Sequence, residues 1–497
     1  MPTKIKRRLI GAHSAYTLAD KLTAILIYFM VIFSPWAFGS TENWSIWTMN
    51  ITAYILGALL ISKWGIRRSL GLTFSSLEDQ KKELNSHQYR LNTIYKTTNI
   101  LINICLLAIL LYILTSAINA RASFSLETAE YSYFENFNKN LPHTYDARGT
   151  WFIFWQYLGL IILFWSARDW LAENISSTSS SFNPRLKRLL FLICLNGAAI
   201  SMESIIQQIY YGDFRGKLLF LIQPELNSWN LTQFGPFAYR SSAASYLNMI
   251  WPLAIGLLIQ LGQENLEYKK RRIGSGPELF LIPCIILIAS GPIISTARGG
   301  TLVMIALVIL SLISVSLIKT GSVNLLKISI IVVIIISTAT GYYYGWERIE
   351  PRLMDSMNGI EARIKLFNIA IKMIEEYPIF GSGPGSFEAI AQFELNDKFT
   401  VWESWAHNDF LEFRLTFGIG SIIFICLAII LSLQSVLRLF FLRTCSYFIT
   451  FCLIAIFGVL SHSMMDFPLQ TYVVLHLLSI IIAAIQTCAT QKNRSLQ

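Results

Sequence analysis

The sequence predicts an all-α integral membrane protein, a polytopic bundle of about twelve transmembrane helices with a helical loop subdomain outside the membrane. Three observations lead to this prediction. Hydrophobic residues make up 54% of the 497 residues and charged residues only 14%, whereas soluble domains carry about 25% charged residues. Long apolar runs recur along the chain, and lysine and arginine concentrate in alternate loops between them. This composition excludes a soluble globular enzyme and a disordered chain.

A transmembrane helix needs roughly 20 mostly apolar residues, and a series of segments meets that requirement. The predicted spans are residues 22–39, 46–63, 98–118, 150–167, 189–210, 241–263, 278–296, 300–318, 325–343, 411–433, 446–463 and 471–488. The basic N-terminus resembles the start of a signal peptide, but no small-residue cleavage site follows it. We therefore expect a retained first helix.

The distribution of basic residues sets the expected orientation. With both termini in the cytoplasm, the loops on that side hold 26 Lys and Arg and the opposite loops hold 13. The net charge of +10 then belongs mainly to cytoplasmic loops, and no concentrated basic stripe indicates a nucleic-acid partner. The seven cysteines show no C-x-x-C spacing, so we expect small core residues and no metal or disulfide site.

This orientation divides the chain into three parts. Residues 1–343 form an N-terminal bundle of about nine helices, residues 344–410 a large outer loop, and residues 411–497 the C-terminal transmembrane helices. The outer loop is too polar to span the membrane and too long to be structureless, so it should be folded and functional. The outer segments 119–149 and 211–240 could pack beside it.

The outer loop contains an amphipathic helix. Apolar residues with helical spacing predict a buried stripe. The stripe consists of Ile360, Ile364, Phe367, Ile371 and Ile374. Arg363 lies about 60° from Ile360, at the edge of the stripe. It is either an arginine that reaches the membrane surface or one that points into a site between this helix and the bundle.

Two further motifs follow the helix. The run Gly381–Gly385 predicts a tight turn, because no strand precedes it as a phosphate-binding loop would require, although contact with a lipid-borne phosphate stays open. His407 stands before the next span among carboxylates and could act as a general base near neutral pH, with Asp409 or Glu412 orienting its second nitrogen. Arg414, just inside that span, should face a polar cavity.

Two more arginines, Arg240 and Arg298, stand on the outer side against the positive-inside bias. They are either interfacial anchors or part of an outer cluster with Arg363. Three converging guanidinium groups would suit a multiply charged phosphate ligand. His462 and Asp466, where a span reaches the outside, are expected to have buried, hydrogen-bonded structural roles, with a proton relay as the alternative.

The order of these features, across roughly residues 230–430, resembles the bacterial O-antigen ligase and O-antigen polymerase-like membrane protein family. The matching pieces are the approach to Arg240, the turn Ser295–Gly300, the helix with Arg363, the segment Tyr377–Gly383, and His407–Leu411 followed by Gly418. Each piece is short, and the specificity lies in their order and their shared side of the membrane.

The resemblance implies a metal-independent, inverting membrane glycosyltransferase without a cofactor. It would transfer a glycan from undecaprenyl pyrophosphate to a sugar hydroxyl of lipid A-core or a similar acceptor, at the periplasmic face of the bacterial inner membrane. His407 would be the general base, and Arg363 with Arg240 or Arg298 would hold the pyrophosphate. Which of those two is the second phosphate-binding arginine stays open. Arg414 and Asp409 are predicted as further substrate-binding residues.

Two alternatives remain at this level. The same scaffold could be an O-antigen or exopolysaccharide polymerase, which differs only in its acceptor. It could also be a non-enzymatic polysaccharide transporter, since twelve spans suit that class. Transporters, however, place polar groups at the bilayer midplane and show internal repeats, whereas here the charges gather outside the spans.

Overall fold

The structure is a computed structural model that describes residues 2–69, 86–125, 127–172, 182–211, 219, 233–267, 277–317, 324–354, 356–395, 404–441 and 446–494. The predicted outer segment 211–240 lies partly outside these residues, and Cys445 and residues 396–403 before His407 lie wholly outside them.

The described residues form helices almost throughout, with one short β-hairpin. The bundle begins with α1 (Pro2–Trp36), α2 (Asn43–Ser69), α3 (Ser86–Ile118), the strands β1 (Ala122–Ser125) and β2 (Glu130–Tyr133), α4 (Ala147–Ala172), α5 (Pro184–Tyr211) and α6 (Arg240–Glu267). It continues with α7 (Leu281–Ile294), α8 (Arg298–Ser316), α9 (Asn324–Met354), α10 (Ser356–Glu376), α11 (Phe387–Leu395), α12 (Asp409–Phe417), α13 (Ile422–Phe441), α14 (Ser446–His462) and α15 (Tyr472–Arg494).

The prediction of an all-α polytopic membrane bundle is confirmed. In the described part of the chain, nine helical segments are long and apolar enough to cross a membrane. One of them, Asp409–Leu439, combines α12 and α13. Three shorter apolar helices, Leu281–Ile294, Ser446–His462 and Tyr472–Cys488, occupy the remaining predicted span positions.

The central helix of the bundle is α6. Its most apolar stretch is buried entirely inside the protein, and it packs against α5, α7, α8 and α14. Gly300 of α8 allows the closest of these approaches, because a Cβ there would stand 2.4 Å from the Cβ of Ala244. The first turns of α6 and α8 are thereby held side by side at one end of the bundle.

Two local features differ from the sequence prediction. Helix α9 continues to Met354 instead of ending near residue 343, because Gly345 packs on the backbone of Ile293 and Ile349 is buried at 1% exposure. The β-hairpin was not predicted. It pairs Phe124 with Tyr131 in an antiparallel register, and strands of four residues are too short to show a clear period of two.

The predicted burial of the α10 stripe is wrong for three of its isoleucines, whereas Ile374 packs against a small core. Ile360, Ile364 and Ile371 are 50%, 50% and 46% exposed. The buried face of α10 is a different one, and it packs in a small core with residues of α11 and α12. That face carries Leu366, Ile369, Ala370 and Met373, which follow the i, i+3, i+4, i+7 spacing of one helix face. The helix has two apolar faces, and the exposed isoleucines of the stripe predicted from the sequence lie on the face that does not pack against this core.

Candidate functional site

A pocket of about 210 Å³ opens at the end of the bundle where α6 and α8 begin. Arg240, Arg298 and Arg363 all line it, together with the carboxylate residue Asp466. These residues come from α6, α8, α10 and the turn between α14 and α15. Side chains that are more than 200 positions apart in sequence therefore meet in one cavity.

Two helix N-termini contribute to the electrostatics of this pocket. Helix α6 starts at Arg240, and α8 starts at Arg298. No side chain caps the start of α8, whose N-cap residue is Ala297. The first N–H groups of a helix lack partners within the helix and carry partial positive charge, so a helix start favours an anion. Both the arginines and the backbone thus make the pocket electropositive.

Arg240 and Arg363 are held in different ways. Arg240 donates from Nη1 to Thr296 Oγ1 at 3.4 Å. Arg363 donates from Nη1 to the Met465 carbonyl, and its Nη2 lies 3.6 Å from Asp466 Oδ2. Its side chain is 36% exposed, so it is half open to a ligand. The sequence left two interpretations of Arg363 open. The structure places its side chain in the pocket between α10 and the bundle.

Asp466 is the organising carboxylate of the pocket. Its Oδ1 lies 3.0 Å from His407 Nδ1, and its Oδ2 accepts from Tyr239 Oη at 3.2 Å and from Ser241 Oγ. Burial by itself raises the pKa of Asp466. The hydrogen bond with His407 and the charges of His407 and Arg363 outweigh it and hold the pKa below its ordinary value. Asp466 is therefore ionised at neutral pH.

His407 precedes α12 in a left-handed backbone conformation, with φ at 52°. Asn408 fixes this turn, because its side-chain oxygen accepts from the backbone N–H groups of Phe410 and Leu411 at 3.1 and 3.2 Å. The imidazole stands edge-on to the Phe467 ring at 5.0 Å. Nδ1 is directed at Asp466, so Nε2 is the ring nitrogen that could exchange a proton with a substrate.

The pairing of His407 differs from the sequence expectation. Asp409 or Glu412 was expected to orient the imidazole, but the partner is Asp466. Asp409 is fully buried and accepts from the backbone N–H of Leu469 at 2.8 Å. Glu412 accepts from the backbone N–H of Ala406 at 2.9 Å. Both carboxylates are occupied in holding the start of α12 in place.

Two predicted substrate-binding residues do not line the pocket. The Asp409 side chain has no exposure to a ligand. Arg414 donates from Nη1 to the Pro378 carbonyl at 3.1 Å, so it ties α12 to the end of α10 instead of facing a polar cavity. The structure gives these two residues supporting positions, and we do not carry them into the proposed site.

The glycine-rich run forms a tight turn packed against α12. The backbone N–H groups of Ser382 and Gly383 donate to the carbonyls of Leu415 and Thr416 at 2.9 and 3.0 Å. Gly383 has φ at 105°, and a Cβ there would stand 2.2 Å from Thr144 Oγ1. Because these N–H groups are already paired, this part of the turn serves packing and not phosphate binding.

Sequence reasoning missed three members of the site. Asp466 was expected to be structural, and Tyr239 and Ser241 were not singled out. A second buried imidazole, His462, lies 3.1 Å from Ser241 Oγ through Nε2. The sequence signal that could have identified Asp466 was an Asp and a His at the outer end of a predicted span, on the same side of the membrane as the arginines. No residue spacing could indicate that this turn meets His407.

Comparison with known protein families identifies the region that builds most of this site. Residues 283–426 match the family model described as O-antigen ligase, which confirms the resemblance to an O-antigen ligase-like family. The matched region contains Arg298, Arg363 and His407. Arg240 and Asp466 lie outside it. A search of curated proteins gives no match. Within the described residues, no group of three or more His, Cys, Asp or Glu is placed to hold a metal ion.

Proposed function

Since residues 283–426 match the O-antigen ligase family model and the chain has several helices apolar enough to cross a membrane, we propose that it transfers a glycan from undecaprenyl pyrophosphate to a sugar hydroxyl. The acceptor is lipid A-core or a similar glycan, and the reaction takes place at the periplasmic face of the bacterial inner membrane. The observation that carries this proposal is a single pocket lined by three arginines and Asp466, with His407 bound to the same Asp466 carboxylate at 3.0 Å.

The arginines are suited to the diphosphate of the donor. Arg240, Arg298 and Arg363 bring three positive charges to a pocket whose only lining carboxylate among the described residues is Asp466. Guanidinium groups bind phosphate oxygens through two parallel N–H donors. The first turns of α6 and α8 add N–H donors. A diphosphate that loses its glycan gains negative charge, so these groups stabilise the leaving group as it forms.

His407 is the general base in this proposal. Its second ring nitrogen, Nε2, takes the proton of the acceptor hydroxyl while that oxygen forms a bond to the anomeric carbon. The bond between the anomeric carbon and the diphosphate oxygen breaks in the same step, and undecaprenyl pyrophosphate leaves with the electron pair. Direct displacement inverts the anomeric configuration. The reaction needs no metal or nucleotide, because the donor is already activated.

Asp466 acts on the reaction through His407. A carboxylate that accepts from Nδ1–H selects the tautomer with an unprotonated Nε2 and stabilises the imidazolium that forms. Tyr239 and Ser241 hold the other oxygen of Asp466 in place. Because the pKa of Asp466 is lowered, the carboxylate does not itself take up the proton at neutral pH.

The position of the pocket suits a donor with a lipid tail. Its residues lie where α6, α8 and α14 end or begin, at one end of the membrane-crossing bundle. Phosphates of a polyprenyl donor stand at the surface of the bilayer while the tail stays in the hydrocarbon. The glycan and the acceptor then extend toward the outer segments, which are polar enough to meet sugars.

Reconstitution tests the proposal directly. The purified protein in phospholipid vesicles is supplied with an undecaprenyl-pyrophosphate-linked glycan and a lipid A-core acceptor. We expect glycan-extended acceptor and free undecaprenyl pyrophosphate in equal amounts, without added metal or nucleotide. Absence of transfer to any hydroxyl acceptor by protein that is folded and monodisperse would contradict the proposal.

The acceptor is identified by what accumulates in cells that lack the protein. Full-length glycan chains left on undecaprenyl pyrophosphate indicate a ligase, which is the function we propose. Single lipid-linked repeats indicate a polymerase on the same scaffold. Both outcomes keep the donor and the pocket chemistry and differ only in the second substrate.

A further inference from the structure

Helix α10 presents an apolar stripe that is exposed in the described part of the chain. The stripe runs along Ile360, Ile364, Phe367 and Ile371, and its three isoleucines are 46–50% exposed. The helix buries a separate face in the core that it shares with α11 and α12. Glu361, Lys365 and Lys372 lie on a third, exposed face. An exposed apolar stripe beside a charged face is typical of a helix that lies in a membrane interface.

The middle of α10 lies beside the pocket end of the bundle. Arg363 contacts the carbonyl of Met465 and the carboxylate of Asp466. Both belong to the turn that follows α14. Ile360 and Ile364 flank Arg363 within one helical turn, so they share this level. The stripe is therefore placed at the pocket end of the bundle and not far out in solvent.

The stripe also continues a surface that faces lipid. Helix α9 exposes Ile331, Ile335 and Ile336 along its crossing segment at 38%, 60% and 43%. Near its outer end come exposed aromatic residues, among them Tyr343 at 79%. Tyrosine and tryptophan concentrate at the boundary between hydrocarbon and headgroups. Only Asp355 separates the end of α9 from the start of α10.

We propose that α10 is an interfacial helix whose stripe from Ile360 to Ile371 inserts into the bilayer leaflet on the pocket side. The partner is the lipid surface itself. The acyl region accepts the isoleucines, and Lys365 and Lys372 remain among headgroups and water. Because Arg363 lies between the stripe and the buried face, membrane contact fixes the depth of its guanidinium. The importance of that depth for donor binding rests on the proposed function, whereas the membrane contact does not.

Photo-crosslinking in a bilayer tests this placement. The photoreactive residue p-benzoylphenylalanine replaces Ile364 or, as the closer match in shape, Phe367. Each full-length variant is reconstituted in vesicles of phosphatidylethanolamine and phosphatidylglycerol and irradiated. Mass spectrometry then measures the fraction of protein that carries a lipid adduct. Ile335, in the exposed middle of α9, is the positive control position, and Lys372, on the charged face of α10, is the negative control.

We expect lipid adducts at positions 364 and 367 at a level comparable with position 335, and at least several-fold above position 372. Adducts at the level of position 372, crosslinks within the chain, or crosslinked dimers in place of lipid adducts would overturn the proposal. The readout does not depend on catalysis. A vesicle preparation that fails in glycan transfer but gives lipid adducts would reject the proposed function and keep this inference.

Discussion

At the scale of single residues, the pocket is organised by a carboxylate that the sequence did not mark as functional. Asp466 is 3% exposed and is approached by His407, Tyr239, Ser241 and Arg363. The three arginines and His407 could be predicted because each breaks a local sequence rule. The arginines are positive charges on the outer side, against the positive-inside rule, and His407 is a histidine among carboxylates. Asp466 breaks no such rule, and its partner is 59 positions away.

Asp466→Asn tests the role of this carboxylate. An amide stabilises neither the imidazolium of His407 nor the required tautomer, so we expect kcat to fall about 10²- to 10⁴-fold, the usual range for general base catalysis. The donor KM should change much less. Because the imidazolium loses its counter-charge, the acid limb of the pH–rate profile should move to lower pH. An unchanged profile with a reduced rate would indicate a merely structural role.

The ionisation of Asp466 also predicts how the stability of the protein depends on pH. The folded-state pKa of Asp466 is below its unfolded value, so its contribution to stability is present at neutral pH and lost as pH falls below the ordinary carboxyl range. Thermal unfolding measured from pH 7 downward should therefore show a smaller acid loss of stability in Asp466→Asn than in the wild type. Parallel curves for the two proteins would contradict the ionised, paired carboxylate.

Arg298→Ala tests the phosphate-binding assignment. Losing one charge-assisted contact of about 1.5–3 kcal/mol should weaken inhibition of transfer by inorganic pyrophosphate about 10- to 100-fold. Arg298→Lys keeps the charge but not the paired donors, so it should fall between the wild type and the alanine variant. Arg414→Ala, at an arginine outside the pocket, is the matched control. Equal losses at both positions would argue against a specific site.

At the scale of elements, the site depends on how α12 is seated. Asn408 caps the helix, and the glycine-rich turn pairs with its last carbonyls. The sequence predicted the turn correctly, because glycine and proline determine local geometry. It misplaced the face of α10, because Leu366, Ile369 and Met373 form an equally regular apolar set. Periodicity identifies an amphipathic helix, but it cannot choose between two apolar faces when tertiary contacts decide.

Gly383→Ala tests the seating of α12. Its positive φ and the short distance from its Cβ position to Thr144 Oγ1 leave no room for a side chain. We expect a lower unfolding temperature in detergent and a loss of transfer, because α12 and His407 shift together. Gly65→Ala, where an added Cβ meets nothing within 4 Å, is the control and should behave like the wild type. An unaffected Gly383→Ala protein would show that the turn does not position the site.

At the scale of the whole molecule, the two ends of the bundle differ in how their positively charged side chains are paired. The pocket end leaves arginines open to a ligand. The opposite end ties its cations to carboxylates: Lys63 lies 3.2 Å from Asp20 and 3.1 Å from Asp169. Arg67 and Arg185 complete a network that joins α1, α2, α4 and α5. The sequence could predict the count and placement of spans from hydropathy, but not this pairing, since its members are 43 to 165 positions apart.

Lys63→Ala tests the role of the network. Lys63 is 1% exposed, and removing one partner of a buried ion pair costs about 3–5 kcal/mol. We expect a clear drop in the free energy of unfolding in detergent, with transfer per folded molecule unchanged. Lys365→Ala breaks an exposed pair with Glu361, which solvent screens, so it should leave the free energy of unfolding nearly unchanged. If the two variants were equally stable, the network would not hold the bundle together.

In the proposed reaction, His407 removes the acceptor proton beside a diphosphate held by the outer arginines. The most direct measurement is the single-turnover rate of glycan transfer by His407→Ala in vesicles, with saturating lipid-linked donor and acceptor. We predict a rate about 10²- to 10⁴-fold below that of the wild type, with donor binding and thermal stability retained. A stable, donor-binding His407→Ala protein that transfers glycan at the wild-type rate would contradict the account.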